Sequence, residues 1–132
     1  MKERGGGSIL TIGSSSLRSP IPNLLLSNVF RPAVLGLSQT LAGELAPYGI
    51  RVNMISPGRI HTERIDQLDR ANAERQGISV EEISERTKAS IPLGRLGDPA
   101  EFGRVAAFLS SDAASYISGE SILVDGGMVR TI

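Results

Sequence analysis

The chain has 132 residues, enough for about one domain with a buried core. Its 14 Lys plus Arg balance 14 Asp plus Glu, so no net field draws it toward nucleic acid or an anionic membrane surface. It has no cysteine, no apolar run of membrane-spanning length and no apolar signal core behind MKERGGG; disulfide and thiolate chemistry are excluded, and a cytoplasmic setting is expected.

Residues 8–12 (SILTI) are β-prone between a glycine-rich and a serine-rich stretch, and predict a buried strand. The glycines of residues 5–7 precede that strand and read as a flexible lead-in. Residues 14–23 form a loop, held extended by Pro20 and Pro22. Over residues 24–46 the pattern turns helical: Val34, Leu37, Leu41 and Leu45 share one face, while Ala33, Gly36 and Gly43 permit close packing on another. Pro32 has no N–H for the carbonyl of Asn28, so the helix is expected to kink or to start there. Pro47-Tyr48-Gly49 ends it.

Residues 50–55 (IRVNMI) alternate into a second strand, closed by Ser56-Pro57-Gly58. Residues 59–96 are polar and irregular, with one helix expected over Val80–Ala89 behind Ser79. Asp98-Pro99-Ala100-Glu101 has the form of a helix start, with Asp98 as N-cap, Pro99 in the first turn and Glu101 at the third position. That helix should reach about residue 109, and a third strand at 121–124 precedes Asp125-Gly126-Gly127.

Strands alternating with helices imply right-handed crossovers, a parallel sheet and an α/β fold. Three strands are few, and two long helices should cover little more than one face. The chain therefore reads as part of a doubly wound domain.

Several segments carry a family likeness: Gly13-Ser14-Ser15-Ser16, the run from Glu44 to Asn53 (ELAPYGIRVN), Ser56-Pro57-Gly58-Arg59-Ile60-His61-Thr62, Ile91-Pro92-Leu93-Gly94-Arg95, Ser118-Gly119 and Val124-Asp125-Gly126-Gly127. In order and spacing these resemble the C-terminal half of the short-chain dehydrogenase/reductases, nearest to members like 3-oxoacyl-carrier-protein reductase. The resemblance implies the last three strands of a Rossmann-type sheet. Residues 1–132 would be the C-terminal portion of one domain, and 59–96 a substrate-loop insertion. It also implies an NAD(P)-dependent oxidoreductase that interconverts carbonyls and alcohols in its full-length form, with NAD or NADP as cofactor. A homo-oligomer is expected, through the long helix and the free edge of the first strand. The Gly-rich phosphate-binding turn of the family belongs to the half that precedes this region. The 132-residue chain alone is accordingly expected to bind cofactor weakly and turn over little.

In that family a serine, a tyrosine and a lysine carry the chemistry. Ser14 matches the serine; the usual thirteen-residue step reaches Ser27, and four more reach Arg31. Tyrosine is thus replaced by Ser27 and lysine by Arg31. A tyrosine starts near pKa ~10, whereas an alkyl hydroxyl is far weaker and needs an adjacent base. Arg31 brings a fixed charge and a fork of donors, but is not interchangeable with lysine. The resemblance assigns Ser14, Ser27 and Arg31 to the catalytic site. Arg31, Pro57, Gly58, Ile60 and Thr62 fall at the cofactor, with the Ile60 backbone at the nicotinamide carboxamide. Against this stand a plain helix face at Ser27, Asn28 and Arg31, a non-catalytic dinucleotide- or protein-binding member, and an inactive fragment. His61, the one histidine, falls on a variable family position and is not expected to be catalytic. No metal site is expected.

Overall fold

The computed structural model describes residues 1–130. Three parallel strands, β1 (Gly7–Ile12), β2 (Ile50–Pro57) and β3 (Ser121–Val124), lie in the order β1-β2-β3. The registers Ile9↔Val52 and Ile55↔Ile122 fix the strands side by side. Helices α1 (Leu25–Leu45), α2 (Glu63–Gln76), α3 (Val80–Ala89) and α4 (Pro99–Ser110) complete the fold.

Because side chains alternate along a strand, β2 serves two cores. Ile50 and Val52 pack with Ala42 of α1, flanked by Ile9, Leu41 and Leu45. Ile55, on the other face, packs with Leu109 of α4 and Ala114, flanked by Leu10, Phe102 and Ile122. The two long helices therefore cover opposite faces of the sheet, where the sequence had suggested little more than one. This is how a parallel sheet is normally covered.

The buried side of α1 is also shifted from the expected stripe. Ser38 and Ala42 are its buried residues, while Leu37 is 58% exposed and Gly36 and Gly43 have no neighbour that a side chain would meet. Small residues let the helix sit close on the sheet, so the close-packing face is the serine–alanine one. The helix runs through Pro32 and begins seven residues before it. The lead-in is likewise tied down, with Gly7 N–H donating to the Gly49 carbonyl at 3.2 Å.

Residues 59–96 hold two helices where one was expected. Helix α2 (ERIDQLDRANAERQ) is strongly polar, so its apolar periodicity is faint. Good helix formers extend it nonetheless, with Asp69 and Ala73 on the buried side, until Gly77 takes the left-handed conformation (φ 66°) and caps it. Ser79 caps α3 by accepting from Glu82 N–H, and α4 starts with the complete reciprocal box between Asp98 and Glu101.

Two β2 side chains bind the α4–β3 connection. Arg51 donates to the carbonyls of Leu109 and Ser111 at 2.8 and 2.9 Å, satisfying groups that the end of α4 leaves free. Asn53, 1% exposed, donates to the Ile117 carbonyl and accepts from Glu120 N–H. Asn53→Ala should destabilise the fold by about 2–3 kcal/mol, since a buried side chain loses both of its hydrogen bonds to the α4–β3 connection. Urea denaturation checks this; an unchanged midpoint would contradict it.

Candidate active site at the carboxyl edge of the sheet

Ser14 follows β1 and Pro57 closes β2, so both lie at the carboxyl ends of parallel strands, where ligands of open α/β sheets bind. The backbone draws them together, with Gly13 N–H donating to the Ile55 carbonyl at 2.8 Å. After Gly13 the chain makes one 3-10 turn (Ser15–Leu17), capped by Ser14, whose side chain accepts from Ser16 N–H.

That turn aims a line of hydroxyls at α1. Ser16 Oγ lies 3.0 Å from Ser14 Oγ and 3.1 Å from Ser27 Oγ. Ser15 and Ser16 are buried, whereas Ser14 and Ser27 are partly exposed. Arg31 lies one turn beyond Ser27, on the same face of α1. Its Nη1 donates at 2.9 Å to the carbonyl of Ile12, and it makes no ion pair among the described residues. The three positions found by counting along the sequence are therefore neighbours in the fold.

Asn28 holds the loop that precedes α1. It does not cap α1; its side-chain amide accepts from Ile21 N–H and donates to the Ile21 carbonyl, both at 3.0 Å. The proline-held loop is thereby fastened to the first turn of the helix. Ser16 and this clamp are the two parts of the site that sequence reading missed. A third hydroxyl in Gly-Ser-Ser-Ser and an amide beside Ser27 were the available signals.

On the β2 side, the backbone of Arg59 and His61 pairs with Gly97: Gly97 N–H donates to the Arg59 carbonyl, and His61 N–H to the Gly97 carbonyl. The intervening Ile60 turns its own N–H and carbonyl the other way, and neither has a hydrogen-bond partner among the described residues. A residue presenting N–H and C=O side by side is the complement of a carboxamide, as Asn28 demonstrates on Ile21. Thr62, at the N-cap of α2, makes no side-chain cap bond. These donor and acceptor groups suit the carboxamide of a nicotinamide.

Gly58 serves packing more directly than ligand access. A Cβ there would lie 2.5 Å from Asp125 Cβ and 2.7 Å from its Cα, so the turn after β2 needs glycine to pass Asp125. The pocket beside it, about 120 Å³, is lined by Ile60, Leu93, Arg95, Glu101 and Asp125 among others. Its wall is set by Arg95, which grips both oxygens of Glu101 at 2.7 and 2.8 Å. The Arg95 bonds, followed by the Asp98 backbone N–H, hold the Glu101 carboxyl down at about 2. His61 is an exposed side chain 3.6 Å from Asp66. No cluster of metal-ligating side chains occurs, and no helix is long and apolar enough to cross a membrane, among the described residues.

The family profile for enoyl-(acyl carrier protein) reductase matches residues 1–129. Dehydrogenase/reductase SDR family member 4 of Sus scrofa is 41% identical over 129 residues, which are 96% of this chain and 42% of that protein. NADPH-dependent reductase BacG of Bacillus subtilis (strain 168) is 33% identical over 132 residues, all of this chain and 51% of that one. Among solved structures, L-sorbose reductase from Gluconobacter frateurii, complexed with NADPH and L-sorbose, superposes with a TM-score of 0.92 at 32% identity, covering 100% of this chain and 51% of that chain. The chain thus spans about half the length of the relatives it matches.

Proposed function

Because the chain belongs to the short-chain dehydrogenase/reductase family of oxidoreductases, we propose that its complete gene product transfers hydride between NAD(P)H and a small carbonyl compound or alcohol. The observation that carries this is the placement of Ser14, Ser27 and Arg31 at the sheet's carboxyl edge, with Ser14 and Ser27 each about 3 Å from the Ser16 hydroxyl and Arg31 donating to the Ile12 carbonyl at the end of β1. Similarity to a reductase solved with NADPH supports the choice of cofactor.

In this reading Ile60 and Thr62 hold the nicotinamide carboxamide, Arg31 faces its ribose, and Pro57 and Gly58 shape the turn beneath it. A reduced nicotinamide, when bound, supplies the hydride to the carbonyl carbon. As negative charge gathers on the carbonyl oxygen, Ser14 O–H donates to it, and the remaining guanidinium donors of Arg31 stabilise it electrostatically. Ser27 replaces the family's tyrosine, Arg31 replaces its lysine, and neither supplies the same acid. The alcohol's proton is then drawn from water, because an alkyl hydroxyl such as Ser27 cannot give one up near neutrality without a base beside it.

The two-helix segment within residues 59–96 would close over the substrate as a mobile lid. Homo-oligomer formation is supported by the apolar outer face of α1, where Leu26 and Phe30 are 69% and 60% exposed. The proposed setting is the cytoplasm, in line with a charge-balanced chain without cysteine.

A second reading, a dinucleotide-binding member without catalysis, is favoured by one observation: Arg31 and Ser27 already have partners in the fold, the Ile12 carbonyl and Ser16. The test is NADPH oxidation by the complete gene product over a panel of ketones and aldehydes, beside an NADPH titration. Turnover is expected. Normal cofactor binding with no turnover of any carbonyl would sink the enzyme reading and leave the second.

A further inference from the structure

The three hydroxyls of the site are not equivalent. Ser16, 4% exposed, stands between two partly exposed partners. It donates twice to Ser14 Oγ, from its O–H at 3.0 Å and from its N–H at 3.2 Å. A serine hydroxyl has one proton and two lone pairs. Both lone pairs of Ser14 are thus occupied, and its proton is left to point elsewhere. With the Ser16 proton spent on Ser14, the 3.1 Å contact to Ser27 is made by Ser27 donating to Ser16 Oγ. Ser27 is then left with lone pairs alone to offer.

We infer that Ser16 is a positioning residue that sorts its neighbours, making Ser14 a donor and Ser27 an acceptor toward the ligand, so that the site selects hydroxy ketones over simple ketones. The carbonyl oxygen accepts from Ser14. A hydroxyl on a neighbouring carbon donates to Ser27, one bridging hydroxyl away. A simple ketone leaves the Ser27 lone pairs without a donor, and burying an unpartnered acceptor costs affinity. Ser15, equally buried, makes no side-chain hydrogen bond of this kind among the described residues, which assigns the sorting to Ser16.

The substrate class rests on the hydride-transfer reading above; the sorting of protons does not. The experiment has two arms. In the first, the complete gene product is assayed with NADPH and either hydroxyacetone or acetone. The wild type should prefer hydroxyacetone in kcat/KM by about tenfold or more, as for one hydrogen bond gained. Ser16→Ala should collapse that preference toward unity, and Ser16→Thr should restore it, each variant being checked by thermal melting. A merely structural role would lower both substrates together, and that result, or a preference surviving Ser16→Ala, overturns the inference. In the second arm, proton NMR of the chain without ligand should find the Ser16 hydroxyl proton protected from exchange and the Ser14 hydroxyl proton exchanging freely. The reverse pattern overturns the sorting. An inactive wild type with the expected NMR pattern removes the hydride-transfer reading and the substrate class, and leaves the sorting standing.

Discussion

Ser14→Ala is expected to lower kcat for carbonyl reduction about 100-fold, with the KM for NADPH nearly unchanged. The reason is the direction of its hydrogen bonds. Both lone pairs of Ser14 are held by Ser16, so its proton is preorganised toward the substrate side. A donor fixed in this way costs nothing to reorient as charge develops on the substrate oxygen, and removing one such donor typically costs about 10²–10³ in kcat. The fold should tolerate the change, because the lost bonds are those of one short turn, worth about 1–2 kcal/mol together. Steady-state kinetics with a saturating carbonyl substrate, beside a thermal melt, separates the two effects. A kcat within threefold of wild type would remove Ser14 from the chemistry.

The second large effect is on stability. Gly58→Ala should destabilise the protein by about 2–3 kcal/mol through overpacking, with a larger loss if the turn cannot shift. The added methyl would meet the Cβ and Cα of Asp125 at 2.5 and 2.7 Å, both inside contact distance, and one of them belongs to the backbone. Gly58 N–H also donates to the Val124 carbonyl at 3.0 Å, which fixes the turn to β3 and removes the easiest direction of escape. Asp125 itself is held by the N–H groups of Gly127 and Val129 on its two carboxyl oxygens. Chemical denaturation measures the loss. A variant as stable as wild type would mean that the two turns slide apart freely.

Much of the fold could be read from the chain because periodicity changes cleanly between elements. SILTI is a short β-prone run between glycines and serines, IRVNMI alternates, and the Asp98–Glu101 box announces α4 at the residue where it begins. The spacing implied by the family resemblance led from Ser14 to Ser27 and Arg31, and the fold sets Ser14 and Ser27 on either side of Ser16. What escaped has physical causes. Helix α2 is built from residues that form helices on propensity and polar pairing, leaving little apolar stripe to detect. The buried face of α1 is lined by Ser38 and Ala42, so the larger leucines beside them drew attention to Leu37, which points outward. Ser16 was hidden among three consecutive serines. Only the turn geometry decides which of them bridges Ser14 to α1.

The measurement that bears most directly on the account compares the complete gene product with its Ser27→Tyr/Arg31→Lys double variant, following transfer of the C4 deuterium of labelled NADPH to a carbonyl substrate. The hydroxyl cluster and Arg31 predict deuterium in the alcohol formed by the native protein, and a shifted pH profile in the variant, whose tyrosine can act as an acid. Label transfer by the variant alone, with the native protein binding NADPH but transferring none, would contradict the account.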